Sequence, residues 1–102
     1  MGKFKLEDMV NFSEENTVST SLYDSQKACV NLLCMEEGQS ALQDTKDQKA
    51  IVVVNSGSGV VITDEGEHDV EEGTFVLFES GESCTLKAKT KLTAVVTIIP
   101  KG

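Results

Sequence analysis

The sequence predicts an all-β domain, a sandwich or barrel of short strands, on three observations. Apolar and β-branched stretches recur every ten residues or so along the chain, the spacing of such folds. Glycine or polar turns separate them. No segment keeps a helical apolar spacing for longer than about one turn.

At 102 residues the chain has the length of one domain. A domain of this size buries roughly 60–65% of the surface its unfolded chain exposes. We divide it into an N-terminal arm, residues 1–16, and a barrel, residues 17–100.

In the arm, Leu6, Met9 and Val10 have the spacing of a single helical turn with one apolar face. With Phe4 and Phe12 they predict an arm packed on the body, ended by Ser13-Glu14-Glu15-Asn16. Thr17–Tyr23 is β-prone, and Asp24-Ser25-Gln26 turns the chain. Lys27–Glu36 alternates: Ala28, Val30, Leu32 and Cys34 share one face, and Cys29, Asn31, Leu33 and Met35 the other. Glu37-Gly38 ends it.

Further strands are predicted at Ile51–Asn55, Val60–Thr63, Glu67–Val70, Thr74–Glu79, Cys84–Ala88 and Leu92–Ile99. Between them lie the turns Asp64-Glu65-Gly66, Glu71-Glu72-Gly73, Ser80-Gly81-Glu82 and Lys89-Thr90-Lys91. Ser56-Gly57-Ser58-Gly59 reads as a hairpin turn rather than a phosphate cradle. Pro100 closes the last strand, where a missing N–H does no harm.

Two strands, Phe75-Val76-Leu77-Phe78 and Ala94-Val95-Val96, are apolar on both faces. Such strands call for cover on both sides, from the opposite sheet and from a second chain or the arm. A homodimer is therefore expected.

The formal net charge is −8, from 17 acidic and 9 basic residues. That field repels phosphate backbones and anionic membranes, so neither nucleic acid nor membrane is an expected partner. Cys29, Cys34 and Cys84 form no CxxC pair, no disulfide framework and no Cys/His cluster. Free thiols, with no apolar run of signal-peptide or membrane-span length, point to a cytoplasmic protein.

The glycine spacing carries a resemblance. The sequence resembles a small single-domain member of the cupin superfamily (a cupin 2-like conserved barrel), over residues 27–100. That family has the motifs G-x5-H-x-H-x3,4-E-x6-G and G-x5-P-x-G-x2-H-x3-N. Gly38 and Gly57 match the glycines of the first, and Gly73 and Gly81 those of the second. The segment Gly66–Gly81 and the ending TAVVTIIP are also similar to the family's second half. The resemblance implies a double-stranded β-helix, or jelly roll, whose tight turns need residues that tolerate positive φ.

In the family, two histidines, a glutamate and a third histidine bind a transition metal. The corresponding positions here hold Asp44, Lys46, Ala50 and Cys84, while Glu79 replaces the proline and Ala88 the asparagine. A lysine ammonium repels a divalent cation and an alanine offers no donor atom. Asp44 and Cys84 leave fewer ligands than the three of typical catalytic sites. No metal or other cofactor is expected.

Asp44, Lys46 and Cys84 remain as candidate pocket-lining residues. On a regular strand Asp44 and Lys46 would share a face roughly 7 Å apart, with Lys46 supplying the charge a metal supplies in relatives. The competing reading makes Gln43–Lys49 a solvated loop. Cys84 reads as a buried inert thiol, or as a nucleophile if a cation lowers its pKa. Cys29 and Cys34 project to opposite faces and cannot chelate together. His68 is the only histidine; it reads as an exposed residue on a polar strand, or as a pH-responsive group beside Asp69. The pairs Glu14-Glu15, Glu36-Glu37 and Glu71-Glu72 adjoin turns and read as solvated surface.

These residues point to a metal-free, non-catalytic domain that binds a small molecule in the barrel or a protein partner. The alternatives are a small cupin enzyme of dioxygenase, isomerase or decarboxylase type, with a site rearranged among Asp44, Asp47, Cys84 and His68, and a structural role in assembly.

Overall fold

The structure, a computed structural model, describes residues 3, 5–44, 48–79 and 82–100, with the side chains of all but Gln43 and Asp44. Among the described residues the strands are β1 (Val18–Asp24), β2 (Cys29–Met35), β3 (Ser40–Asp44), β4 (Gln48–Ser56), β5 (Ser58–Thr63), β6 (Gly66–Glu71), β7 (Phe75–Phe78), β8 (Ser83–Ala88) and β9 (Leu92–Pro100). They form a five-stranded sheet in the order β1-β2-β9-β4-β7 and a four-stranded sheet in the order β3-β8-β5-β6. Every pairing is antiparallel. This is the jelly-roll order, in which strands adjacent in sequence mostly belong to opposite sheets.

The strand period of two decides which residues enter the core. Leu33, Ala94 and Val54 lie in one row across β2, β9 and β4, and Val96, Val52 and Val76 in the next across β9, β4 and β7. From the other sheet Val61, Val70, Cys84, Leu86 and Ala88 close on them in one apolar cluster. Each Val, Leu or Phe withdrawn fully from water contributes roughly 1.5–3 kcal/mol. Cys29 pairs with Ile98 and Cys34 with Thr93, so the two thiols stand on opposite faces as expected. Buried Thr93 shares its hydroxyl with Asn55 Nδ2 at 3.1 Å and Ser56 Oγ at 2.6 Å.

Three local expectations change. The segment Ser56-Gly57-Ser58-Gly59 is not a hairpin turn, because β4 and β5 belong to different sheets and do not pair. The chain bends at Gly57, at φ 84°, and continues into the second sheet. Ser40–Asp44, outside the strands that the sequence predicts, is β3, paired along β8. In the arm the turn is a 3-10 turn over Leu6–Asp8. Leu6, Met9, Val10 and Phe12 are half-buried; Lys91 Nζ stands 4.3 Å from the Phe12 ring centre, and Gln39 Nε2 donates to the Ser13 carbonyl at 2.7 Å. The arm thus packs on the body.

Candidate functional site

The connections β2–β3, β4–β5, β6–β7 and β8–β9 gather at one end of the barrel, which is laced shut. Gly38 N–H donates to the Ala88 carbonyl, and Ala88 N–H to that of Gln39. Lys89 and Thr90 N–H both donate to the Ser58 carbonyl, and Gly73 N–H to that of Val54. Gly38, Gly57 and Gly73 all have φ between 84° and 88°, the turn chemistry that the glycine spacing predicts. Gly81 lies outside the described residues.

Among the described residues the opposite end is open. The edge strands β6 and β7 meet at the Glu71–Thr74 turn, where Thr74 N–H donates to the Glu71 carbonyl and Glu71 N–H to Thr74 Oγ1. Away from that turn they diverge without pairing. A cavity of about 550 Å³ occupies the resulting seam. Its inner wall is apolar, from Val61, Val76 and Phe78, and its rim carries Thr63, His68 and Ser83 among others. Asp64, Glu65 and Glu82 add carboxylates at the mouth. Glu82 Oε1 accepts from Glu79 N–H at 2.9 Å, tying the β7–β8 connection.

His68 owes its place to the strand period. It pairs with Val61 and shares the inward face of β6 with buried Val70, yet stays exposed because the seam is open beside it. His68 is exposed, as the reading of a polar strand has it, and the alternative of a group acting beside Asp69 finds no contact between them. Asp69 lies on the other face of β6, where its carboxylate takes Lys89 Nζ at 2.6 Å, and this contact holds its carboxyl below the ordinary range. The signal for His68 was present in the sequence: it stands two residues before Val70, the one apolar residue of the strand.

The positions matching the family's metal ligands are distributed differently. Ala50 is buried in the core cluster and presents only a methyl group. Cys84 is 3% exposed in the same cluster; burial first, and the Glu82 carboxylate second, push its thiol up to about 11. A thiol must lose its proton to bind a metal or attack an electrophile, and this environment opposes that loss. The strand register sets Gln43 opposite Cys84 and Asp44 opposite Ser83. Lys46 and Asp47 lie outside the described residues. Among the described residues no three His, Cys, Asp or Glu side chains converge on a point. Among the described residues, Ala50 and Cys84 offer a transition metal no ready donor.

The remaining acids behave as surface. Glu14, Glu15, Glu37, Glu71 and Glu72 are exposed, and Glu36 takes Lys91 Nζ at 3.4 Å. Cys29 donates its thiol to Asp24 Oδ1 at 3.1 Å, a bond that raises its pKa. Among the described residues no helix is long and apolar enough to cross a membrane.

Comparison with solved structures places this architecture. The chain superposes on an RmlC-like cupin protein from Desulfovibrio desulfuricans with a TM-score of 0.89 at 19% identity, over 98% of this chain and 97% of that one. A conserved protein with a double-stranded beta-helix domain from Klebsiella pneumoniae gives 0.89 at 13% identity, over 98% and 90%. The ectoine synthase of P. lautus gives 0.78 at 19% identity, over 98% and 78%. No protein-family model and no curated protein matches the sequence. The likenesses establish the fold: this is a cupin-type double-stranded β-helix, as the glycine spacing implied.

Proposed function

We propose that this cupin-fold chain is a non-catalytic binding domain of the cytoplasm, taking a small molecule into the mouth of its barrel without a metal. The observation that carries the reading is the cavity of about 550 Å³, apolar within and polar at the rim; the burial of Ala50 and Cys84 in the core supports its being used without a metal. Pockets of this size and lining are the usual form of a small-molecule site. The inner wall favours an apolar body on the ligand, and His68, Thr63 and Ser83 offer hydrogen bonds to a polar end.

The enzymatic alternative draws less support. Cys84 is protonated at neutral pH and walled in by apolar side chains. His68 on the rim does not have Asp69 on its face of β6, and Cys84 is sealed in the core cluster. That a neighbour in fold is an ectoine synthase speaks for the versatility of the barrel, not for the chemistry of this chain.

The test is made on protein purified without chelator, by elemental analysis and native mass spectrometry. The expected result is a transition metal well below one per chain and a small molecule carried through purification or captured from a metabolite mixture. A stoichiometric transition metal would overturn the reading.

A further inference from the structure

We propose that the mouth of the barrel selects organic cations, molecules with an apolar body that enters first and an ammonium head held at an acidic lip. The inference rests on the mouth being a small-molecule site, and adds the sign of charge that the site accepts.

Both walls of the cavity climb from apolar to acidic in the same direction. On β5 the inward positions are Val61, 2% exposed, and then half-buried Thr63, and the turn after them carries Asp64 and Glu65. Across the seam, on β7, they are half-buried Val76 and then Phe78, 3% exposed. The connection after Phe78 brings Glu82 to the lip. Glu82 is held there by the Glu79 N–H, which its Oε1 accepts at 2.9 Å. His68 lies opposite Val61 in the strand register, between floor and lip. A ligand lying along this gradient rests its apolar part on Val61, Val76 and Phe78. Its head then reaches the carboxylates.

Among the described residues the lining holds no lysine to receive an anion, and the chain has no arginine. The strand period keeps the nearest lysines away. Ala50 and Leu86 face the core, so their neighbours Lys49 and Lys87 face outward. Lys49 Nζ is moreover taken by Glu79 Oε2 at 3.6 Å. His68 is the one basic group in the lining, set among three carboxylates. A cleft lined by one sign of charge concentrates ions of the other sign and turns like charges away. The net charge of −8 adds to that field. A bare metal ion is the wrong cation, because among the described residues no three His, Cys, Asp or Glu side chains converge on a point. The apolar floor gives such an ion nothing, whereas it withdraws the body of an organic ammonium from water.

The test uses three probes of one shape, phenylbutylamine, phenylbutanol and phenylbutyrate. Each is titrated into the ligand-free wild-type protein at neutral pH and followed by amide NMR shifts. The amine should bind roughly tenfold more tightly than the alcohol in low salt, and the acid more weakly than either. Amine and alcohol should both shift Val61, Thr63, His68 and Val76, which places them in the mouth. Added salt should bring the amine towards the alcohol and leave the alcohol unchanged. Asp64→Asn combined with Glu65→Gln, in an exposed turn, should weaken the amine about fivefold without affecting the alcohol. Equal affinities for amine and alcohol, an amine indifferent to salt or to the double substitution, or a preference for the acid would each overturn the charge selection. Each would leave the mouth standing as a ligand site. Failure of all three probes to shift those amides would overturn the mouth itself, and the charge selection with it.

Discussion

The Lys91 carbonyl oxygen occupies the space that a side chain on Gly57 would need. At this corner the chain leaves the five-stranded sheet for the four-stranded one, and the start of β9 presses on the bend. Gly38 has nearly the same φ, 87° against 84°, but a Cβ there would meet nothing within 4 Å. One glycine is required by conformation alone and the other by conformation and contact together.

Urea denaturation should separate the two. Gly38→Ala is expected to destabilise by about 1–2 kcal/mol, the cost of a left-handed residue with a Cβ. Gly57→Ala adds a backbone collision and should cost more, about 3 kcal/mol or beyond. Equal losses would show that the Lys91 backbone yields freely.

Cys84 makes stability depend on alkaline pH. Its thiol lies near 11 in the fold against 9.0 for a free cysteine, so the unfolded chain holds fewer protons between those values. The contribution is whole below pH 9 and drains away as pH rises towards 11, on the order of 1–3 kcal/mol in all. Melting curves of wild type and Cys84→Ala from pH 7 to 11 should converge at the alkaline end. Iodoacetamide at neutral pH should alkylate Cys84 only when the chain unfolds.

Asp69 runs the other way. Lys89 depresses its carboxyl, so the stabilisation from this pair is present at neutral pH and fades as acid protonates Asp69. The pair is exposed, and salt should weaken it. In Lys89→Met an NMR titration should find the Asp69 carboxyl returned towards the ordinary range.

Lys91 holds the arm as well as the corner. It faces the Phe12 ring on one side and Glu36 on the other. Lys91→Met is expected to loosen residues 6–12 by about 0.5–1 kcal/mol, seen as faster amide exchange there while the barrel strands keep their protection.

Thr63→Trp should fill the mouth. The variant is expected to fold as wild type by circular dichroism and to retain no small molecule in native mass spectrometry. Undiminished retention would place the ligand elsewhere.

The strands were legible because alternation is written locally: Ala50, Val52 and Val54 take the inward side of β4 as their spacing requires. β3 carries no such signal, because Ser-Ala-Leu-Gln-Asp has one strong apolar residue, Leu42, and it faces outward at 72% exposure. Its strand character comes from pairing with β8. At Gly57 the same glycine-rich string suits a hairpin or a sheet-to-sheet bend, and the pressure of β9 selects the bend.

The candidate site divides along the same line. Sequence alone determined the jelly roll, through turn glycines and period-two strands, and determined that Ala50 and Cys84 stand where metal ligands would. Both are local properties, of one residue's backbone freedom or one side chain's donor atoms. Only the tertiary structure decided where a ligand has room. Residues 61–68 share no local pattern with 76–78 or with Glu82 and Ser83, and their side chains come together because β6 and β7 are edges of opposite sheets that diverge beyond the Glu71–Thr74 turn.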